Sequence, residues 1–272
     1  MDPVAISNRM SRVVLKLGGG LITDKSRYRH IRTDRIDAVS EVIRELRSSG
    51  QSVVLVHGAG SFGHLEARKW GLAEGKNDES YESQIQAISR VRTDMDDLNT
   101  AVIESLSRAG VDCEAMPPRD WANGVGTGFE GNLGDFVRDP DEPVPVTFGD
   151  VVDTSDSSEF GILSGDHIMV RLGCEMPDVK ACAFLLGDVD GLMDKPPGEP
   201  DSTLLPTWSS DQDFSGSHDL DHDVTGGILL KARCASEIAK RVEQVWLLNG
   251  TVPSRILDVV SLGDAVGTRI LH

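Results

Sequence analysis

Two glycine-rich turns and three lysines near them are the residues whose types and spacing could do chemistry. The apolar run RVVLKL at 12–17 ends in three glycines at 18–20, and SVVLV at 52–56 leads into HGAGSFGH at 57–64. Backbone N–H groups in such turns can bind phosphate oxygens. Phosphoryl transfer also needs positive charge, which lysines supply. The lysines at these glycine-marked loops are Lys16, Lys25 and Lys231.

A dinucleotide-binding turn is the alternative interpretation of HGAGSFGH, because the loop matches G-x-G-x-x-G. That fingerprint requires an acidic residue at the end of the next strand, about 20 residues on. Here the acidic residues near 78–82 lie at the start of a predicted helix, with no strand in between. The fingerprint also follows the first strand of its unit, whereas this loop follows the second. We therefore favour phosphate binding.

The segments around the first turn predict a strand, a helix and a second strand. Thr33 is the expected N-cap of a helix that ends at Gly50, with apolar residues at helical spacing between them. Parallel strands joined by such a crossover have their carboxyl ends at one edge of a sheet. Both glycine turns are therefore expected to meet at that edge.

The rest of the chain continues the alternation of helices and strands. The spacing predicts a long amphipathic helix over 81–109, strands at 143–153 and 160–166 that could form a hairpin, and a buried strand at 181–191. The Pro-, Asp- and Ser-rich segment 194–222 is expected to hold little regular structure, and either a lid or an uninvolved surface loop would suit it. A further helix and strand follow. The pattern predicts an α/β protein, a three-layer sandwich with a central, mostly parallel sheet.

Composition excludes several classes of partner. Lys and Arg number 27 against 44 Asp and Glu, and a formal charge of −17 would repel nucleic acid and anionic membranes. No apolar run approaches the roughly 18 residues of a membrane span. The cysteines lack a C-x-x-C spacing, which argues against a zinc site and a disulfide framework and favours a reducing cytoplasm. They are Cys113, Cys174, Cys182 and Cys234.

Four motifs in order along the chain resemble those of the amino acid kinase superfamily: KLGGG with Lys16, HGAGSFGH, the GDVDG turn, and DVTGG followed by Lys231. The resemblance is closest to the isopentenyl phosphate kinases, because His64 closes the second glycine loop as in these enzymes and the related fosfomycin kinases. It covers nearly the whole chain. It implies one amino acid kinase-like domain over 1–272, with approximately 12–155 binding the acceptor and 156–272 the nucleotide.

The same resemblance implies roles for the matching residues. Those with implied catalytic roles are Lys16, His64, Asp166 and Lys231. Those implied to bind the nucleotide are Lys16, Gly18, Gly19, Gly20, Lys25, Gly60, Asp188, Asp190, Gly226, Gly227 and Lys231. Those implied to bind the acceptor are Ala59, Gly60, His64 and Asp166, with Ile85 and Ile88 for an isoprenoid tail. Nothing in the sequence names the ligands of a metal ion. His57, at the end of a strand, is interpreted as structural.

Three positions depart from the superfamily pattern and weaken its phosphate contacts. Gly20 stands where Ser or Thr is common, Gly187 where Thr is common, and Leu229 where Lys is frequent. Hydroxyl and ammonium donors to phosphate are therefore fewer. The losses leave Lys16 and Lys231 in place.

The resemblance therefore implies an enzyme that uses ATP and Mg²⁺ to phosphorylate isopentenyl phosphate to isopentenyl diphosphate, in the alternative mevalonate route of isoprenoid biosynthesis. The resemblance also implies a homodimer in the cytoplasm, with no nucleic-acid or membrane partner. Two alternatives stay open at this point. One is a kinase of another small phosphate or phosphonate, such as fosfomycin, on the same fold. The other is a catalytically silent member that senses a ligand. The length of isoprenoid chain that is accepted is not determined.

Overall fold

A computed structural model describes residues 11–24, 26–212 and 227–272. Its strands are β1 (Ser11–Leu17), β2 (Gln51–His57), β3 (Cys113–Ala115), β4 (Ala122–Asn123), β5 (Glu130–Gly131), β6 (Val144–Phe148), β7 (Asp150–Asp153), β8 (Phe160–Leu163), β9 (Val179–Leu186), β10 (Thr207–Trp208), β11 (Gln244–Asn249) and β12 (Thr268–Ile270). Its α-helices are α1 (Gly19–Ile22), α2 (Thr33–Ser48), α3 (His64–Lys69), α4 (Tyr81–Arg108), α5 (Pro118–Trp121), α6 (Gly165–Glu175), α7 (Gly227–Ala239) and α8 (Arg255–Leu262). Two single 3₁₀ turns cover Gly126–Gly128 and Gly134–Phe136.

Eight of the described strands form one sheet in the order β10-β12-β11-β9-β1-β2-β6-β3, and β4-β5 and β7-β8 form two separate two-stranded sheets. The pairs from β3 through β6, β2, β1 and β9 to β11 are parallel, and β12 runs antiparallel to β11. The predicted mostly parallel sheet is confirmed. From β1 the chain continues to β2 on one side, whereas β9 and β11 lie on the other. Ligands of open parallel sheets bind at the carboxyl ends of the strands where the strand order reverses in this way.

Helices cover both faces of the sheet, which confirms the predicted three-layer sandwich. Val13 and Leu15 of β1 face a core shared with α2, α4 and α8, whereas Val14 faces a second core shared with α6 and α7. Because both faces are covered, β1 is buried along almost its whole length. A continuous apolar strand of this kind places the glycines that follow it at the carboxyl edge of the sheet.

The long helix and the hairpin agree with the sequence, with shifted boundaries. Helix α4 ends at Arg108, and β7 pairs antiparallel with β8. The predicted strand 143–153 is broken at Gly149, because the chain leaves the main sheet there to form the hairpin. The predicted strand 160–166 ends at Leu163, since the next residues form the first turn of α6.

One local expectation, the N-cap of α2, was wrong. Arg32, and not Thr33, is the N-cap of α2, and it makes no side-chain cap hydrogen bond. The segment 194–222 includes strand β10 in its described part, where Trp208 is buried against the edge of the sheet. The rest of that segment, from 213, lies outside the described residues, as do Lys25 and Gly226. No helix in the described ranges is long and apolar enough to cross a membrane.

Candidate active site

A cavity of about 420 Å³ opens at the carboxyl ends of β1, β2 and β9. The glycine turns after β1 and β2 form its floor, and the first turns of α3, α6 and α7 form its walls together with α4 and the β7–β8 hairpin. The sequence-predicted residues that line it are Lys16, Gly18, Gly19, Gly20, Ala59, Gly60, His64, Asp188, Gly227 and Lys231. The fold therefore brings the two predicted phosphate-binding turns to one place.

The two glycine turns pack directly against each other. A Cβ on Gly19 would lie 2.2 Å from the backbone N of Gly60. Gly60 has a φ of +56°, and its own Cβ would lie 1.9 Å from Oγ1 of Thr23. That hydroxyl donates to the carbonyl of Gly19 and accepts from the backbone N of Ser61, each at 2.8 Å. Thr23, which the sequence did not single out, thus joins two loops that only glycine allows to touch.

Two lysines share one buried carboxylate beside these turns. The ammonium of Lys16 donates to Oδ1 of Asp166, and that of Lys231 donates to Oδ2 at 3.3 Å. Lys16 is 4% exposed and Asp166 is 1% exposed. Lys16 is the second-to-last residue of β1, Asp166 lies in the first turn of α6, and Lys231 lies on α7. Two ammonium groups against one carboxylate leave this cluster of three side chains with a net positive charge.

Burial and the neighbouring charges set the protonation of this cluster. Burial lowers the pKa of Lys16 to about 8, against the raising effect of Asp166 and with a further lowering by Lys231. Burial opposes ionisation of Asp166, but Lys16 and Lys231 outweigh it and lower the pKa of the carboxyl group. At neutral pH the carboxylate is therefore ionised and Lys16 is mostly protonated. Such a cluster can stabilise the charge of a phosphoryl group in transfer.

The two histidines of HGAGSFGH have different surroundings. His64 is the first residue of α3, follows Gly63 at a φ of +70°, and lines the cavity half-buried. His57 is fully buried, stacks on Phe148, and has its ring nitrogens 3.2 Å from the Gly58 carbonyl and 3.1 Å from the Asn99 amide oxygen. Burial lowers the pKa of His57 to about 4, so its ring is neutral near pH 7. These contacts fit the structural interpretation of His57.

The predicted nucleotide side is only partly assembled around the cavity. Asp188 and Gly187 line it, and a Cβ on Gly187 would lie 2.9 Å from the carbonyl of Gly20. Asp190 does not line it; its carboxylate accepts from Arg255 at 2.6 Å and from the Asn249 side chain at 3.1 Å. It holds the turn after β9 against the start of α8.

The structure does not bring Ile85 and Ile88 to the cavity, which corrects the prediction for the tail. Ile85 is 43% exposed, and Ile88 packs into the hydrophobic core. The cavity instead meets α4 at Val91 and Met95, one to two turns farther along. The prediction failed because the sequence shows which face of the helix is apolar but not how far along α4 the glycine turns cross it.

Several cavity residues had a visible signal in the sequence that was not used. Val91 and Met95 belong to the same apolar stripe of α4 as Ile88. Asp150 follows the glycine at the end of β6 and is 2% exposed. Strand-end carboxylates next to glycine are the kind of signal that would have identified it. Ile162 and Arg32 also line the cavity, but no motif marks them.

The fold and the cluster of Lys16, Asp166 and Lys231 between two glycine turns define a class of proteins built for phosphate chemistry. The chain belongs to the amino acid kinase family, whose model matches residues 11–249. The resemblance stated from the sequence is therefore confirmed. A likeness to the aspartate kinase of Synechocystis, with a TM-score of 0.61 over 95% of this chain and 40% of that one, extends to the fold alone at 15% identity.

More specific similarity is to the isopentenyl phosphate kinases. The chain is 35% identical to the enzyme of that name from Thermoplasma acidophilum, over 91% of this chain and 95% of the relative. It is 32% identical to the isopentenyl phosphate kinase of Methanothermobacter thermautotrophicus, over 95% of this chain and 98% of the relative. The crystal structure of the T. acidophilum enzyme in a product complex superposes with a TM-score of 0.78, covering 96% of this chain and all of that one.

Proposed function

We propose that this chain transfers the γ-phosphoryl group of ATP to isopentenyl phosphate and releases isopentenyl diphosphate and ADP. The observation that carries the proposal is the buried cluster of Lys16, Asp166 and Lys231 at the meeting point of two glycine turns. The similarity to isopentenyl phosphate kinases over nearly the full length of both chains supports the choice of acceptor.

In the proposed reaction a terminal oxygen of isopentenyl phosphate attacks the γ-phosphorus of ATP in line with the oxygen that bridges to ADP. A phosphate monoester has a second pKa of about 6, so it is already an oxyanion at neutral pH and needs no general base. The protein must therefore position two anions and neutralise the charge between them. Lys16 and Lys231 supply that charge, and Asp166 fixes the direction of both ammonium groups.

Ala59, Gly60 and His64 are proposed to hold the acceptor phosphate, since they line the acceptor-side floor of the cavity. His64 would donate a hydrogen bond to a phosphate oxygen, and a hydrogen bond to a charged group contributes roughly 1.5–3 kcal/mol. The nucleotide is proposed to bind at the opposite side. Its proposed contacts there are Gly18, Gly19, Gly20, Asp188, Gly227 and Lys231.

Mg²⁺ is proposed to enter with ATP. The described residues contain no group of three or more His, Cys, Asp or Glu side chains that could hold a metal ion. Phosphate oxygens and water would then supply most of its ligands, as is usual for Mg²⁺ in nucleotide sites. Asp188 is the carboxylate that lines the nucleotide side and could accept one of those waters. The ion would neutralise the phosphate chain of ATP.

The two lobes, approximately 12–155 for the acceptor and 156–272 for the nucleotide, stay a proposal. The boundary falls in the turn of the β7–β8 hairpin, and both strands of that hairpin contribute to the cavity wall. A homodimer and a cytoplasmic location are proposed on the family resemblance. The four free cysteines are compatible with a reducing compartment. Sedimentation velocity at several protein concentrations would measure the mass of the assembly.

A coupled assay of ADP release with ATP and Mg²⁺ tests the function directly. Isopentenyl phosphate is compared with fosfomycin, acetylglutamate and UMP. Turnover on isopentenyl phosphate that His64→Ala reduces, with no loss in the exposed control His272→Ala, is the expected result. Preferred turnover on another acceptor would replace the substrate assignment, and binding without any turnover would indicate a ligand-sensing protein.

A further inference from the structure

The apolar wall of the cavity is shared by two elements far apart in sequence. Helix α4 contributes Val91 and Met95, and the β7–β8 hairpin contributes Val151 and Ile162. The hairpin forms its own two-stranded sheet and is not hydrogen-bonded into the main sheet. Side chains make the hydrogen bonds between this hairpin and α4 that are described next.

Arg92 makes the first of these contacts. It lies on α4 directly after Val91, donates from Nε to the carbonyl of Val151 at 3.1 Å, and donates from Nη2 to Oδ1 of Asp153 at 3.0 Å. One side chain thus binds both the backbone of a wall residue and the end of β7. The guanidinium is planar and offers several donors in a fixed geometry, which suits a spacer between two elements.

Arg119, which lies on α5, makes the second contact, and its partner on α4 is Asp96, one helical turn beyond Arg92. It donates from Nη2 to both carboxylate oxygens of Asp96, at 2.7 and 2.9 Å, and from Nη1 to Oδ2 of Asp150 at 3.0 Å. Along α4 the residues at 91 and 95 line the cavity, and the next residues, at 92 and 96, belong to the two contacts. Next to each of the two α4 residues that line the cavity, Val91 and Met95, there is therefore a residue that takes part in a contact with the hairpin.

Asp150 gives the second tie an electrostatic role. Its carboxylate is 2% exposed and lines a cavity that is proposed to hold two anions. Burial raises the pKa of Asp150 to about 6, although the Val151 backbone N–H and Arg119 favour the ionised form. Without the guanidinium, this position would hold either an unpaired buried charge or a proton, and both change the cavity that the acceptor enters.

We propose that Arg92 and Arg119 are positioning residues that hold the β7–β8 hairpin against α4 and neutralise Asp150, and thereby set the size and charge of the acceptor subsite. The proposal rests on the proposed function, because it takes an alkyl phosphate as the occupant of this wall. Neither arginine is assigned a contact with the reacting atoms. Their effect should therefore appear in acceptor binding and selectivity, with little change in the use of ATP.

The test measures the dissociation constant of isopentenyl phosphate by calorimetry and the KM values of both substrates in wild type, Arg119→Gln, Asp150→Asn and the double variant. Arg119→Gln should raise the dissociation constant of isopentenyl phosphate at least about tenfold and leave the KM of ATP unchanged, because the buried carboxylate of Asp150 loses its arginine partner. The double variant should recover part of that loss, because it removes the unpaired charge. Arg92→Gln should lower the preference for isopentenyl phosphate over a longer alkyl phosphate.

Arg108→Gln is the matched control, since Arg108 pairs with Asp37 at 2.6 Å near the end of α4 and does not line the cavity. Thermal unfolding of every variant separates lost folding from lost positioning. Equal changes in both KM values, or a lower Tm with acceptor binding unchanged, would overturn the proposal. A wild-type protein that binds isopentenyl phosphate without phosphorylating it would contradict the proposed function only. Unchanged acceptor binding in Arg119→Gln beside normal wild-type turnover would contradict the positioning role only.

Discussion

The phosphate centre and the apolar wall of the same cavity are built in different ways. The centre consists of backbone turns at the ends of adjacent strands and a lysine–aspartate–lysine cluster in which Lys16 and Asp166 are almost completely buried. The wall consists of side chains from α4 and from the β7–β8 hairpin, which are joined by partly exposed arginines. The centre is thus built from strand ends and from the first turns of the helices that follow them, whereas the wall depends on the placement of two elements far apart in sequence. Chemistry and acceptor choice should therefore respond to different substitutions.

Lys16→Met should cause the largest loss and act at the centre alone. The substitution removes the buried ammonium group that is proposed to face the transferred phosphoryl group, so kcat should fall by roughly 10²–10³-fold, as when one preorganised transition-state donor is removed. Steady-state kinetics measure this, with the exposed Lys240→Met as control. A loss of less than threefold would show that Lys16 is not required for the transfer.

Gly60→Ala should come next, because it separates the two crossing turns. The new Cβ would lie 1.9 Å from Oγ1 of Thr23, so the loops must move and activity should fall about 10- to 100-fold, with a loss of about 1–3 kcal/mol in the free energy of unfolding. Gly50→Ala is the control, since it has a φ of +84° but open space around its Cβ. Denaturant unfolding of both variants isolates the steric effect. Equal destabilisation of the two would mean that positive φ alone matters.

The pH dependence should report the charge of the centre. Burial lowers the pKa of Lys16 to about 8, so kcat/KM for ATP should fall as the pH rises through 8, about tenfold per unit above it. Stability has the opposite sign: between about pH 8 and the unfolded value of 10.5 the unfolded chain binds more protons, so this lysine favours folding increasingly as the pH rises.

Lys16→Arg provides the check on that assignment, because arginine stays protonated throughout this range. Its residual activity should lose the alkaline limb in a profile of kcat/KM against pH. An unchanged limb in Lys16→Arg would assign the titration to another group.

Met95→Ala should have the smallest effect and should be confined to the wall. If the alkyl tail lies against this wall as proposed, shortening the Met95 side chain costs about 1 kcal/mol of binding, so the KM for isopentenyl phosphate should rise about fivefold with the KM for ATP unchanged. Ile85→Ala is the control, because Ile85 lies outside the cavity and is 43% exposed. A larger rise in the KM for isopentenyl phosphate in Ile85→Ala than in Met95→Ala would indicate that the alkyl tail binds near the start of α4.

The same contrast explains how much of the fold and the site could be predicted. The mostly parallel sheet, its helices and the meeting of the two glycine turns followed from apolar strands that end in glycine, which are local patterns. The strand at 143–153 was predicted too long, because only tertiary pairing shows that Gly149 separates the main sheet from the hairpin. The placements of Ile85 and Ile88, chosen from their position near the start of α4, and of Asp190, chosen from the GDVDG turn, failed for a related reason. Neither choice contained information about the tertiary neighbours of these residues.

By itself the sequence indicated the chemistry of this protein. Two glycine turns with Lys16 and Lys231 predict phosphate binding through residue type and spacing, and the resemblance to a known family added His64 and Asp166. The tertiary structure decided which side chains line the cavity. Val91 and Ile162 are far apart along the chain, and Arg92 and Arg119 each reach from one element to another. Local sequence encodes strand ends and turns because they depend on neighbouring residues. The distance between a helix and a hairpin depends on the packing of the whole fold.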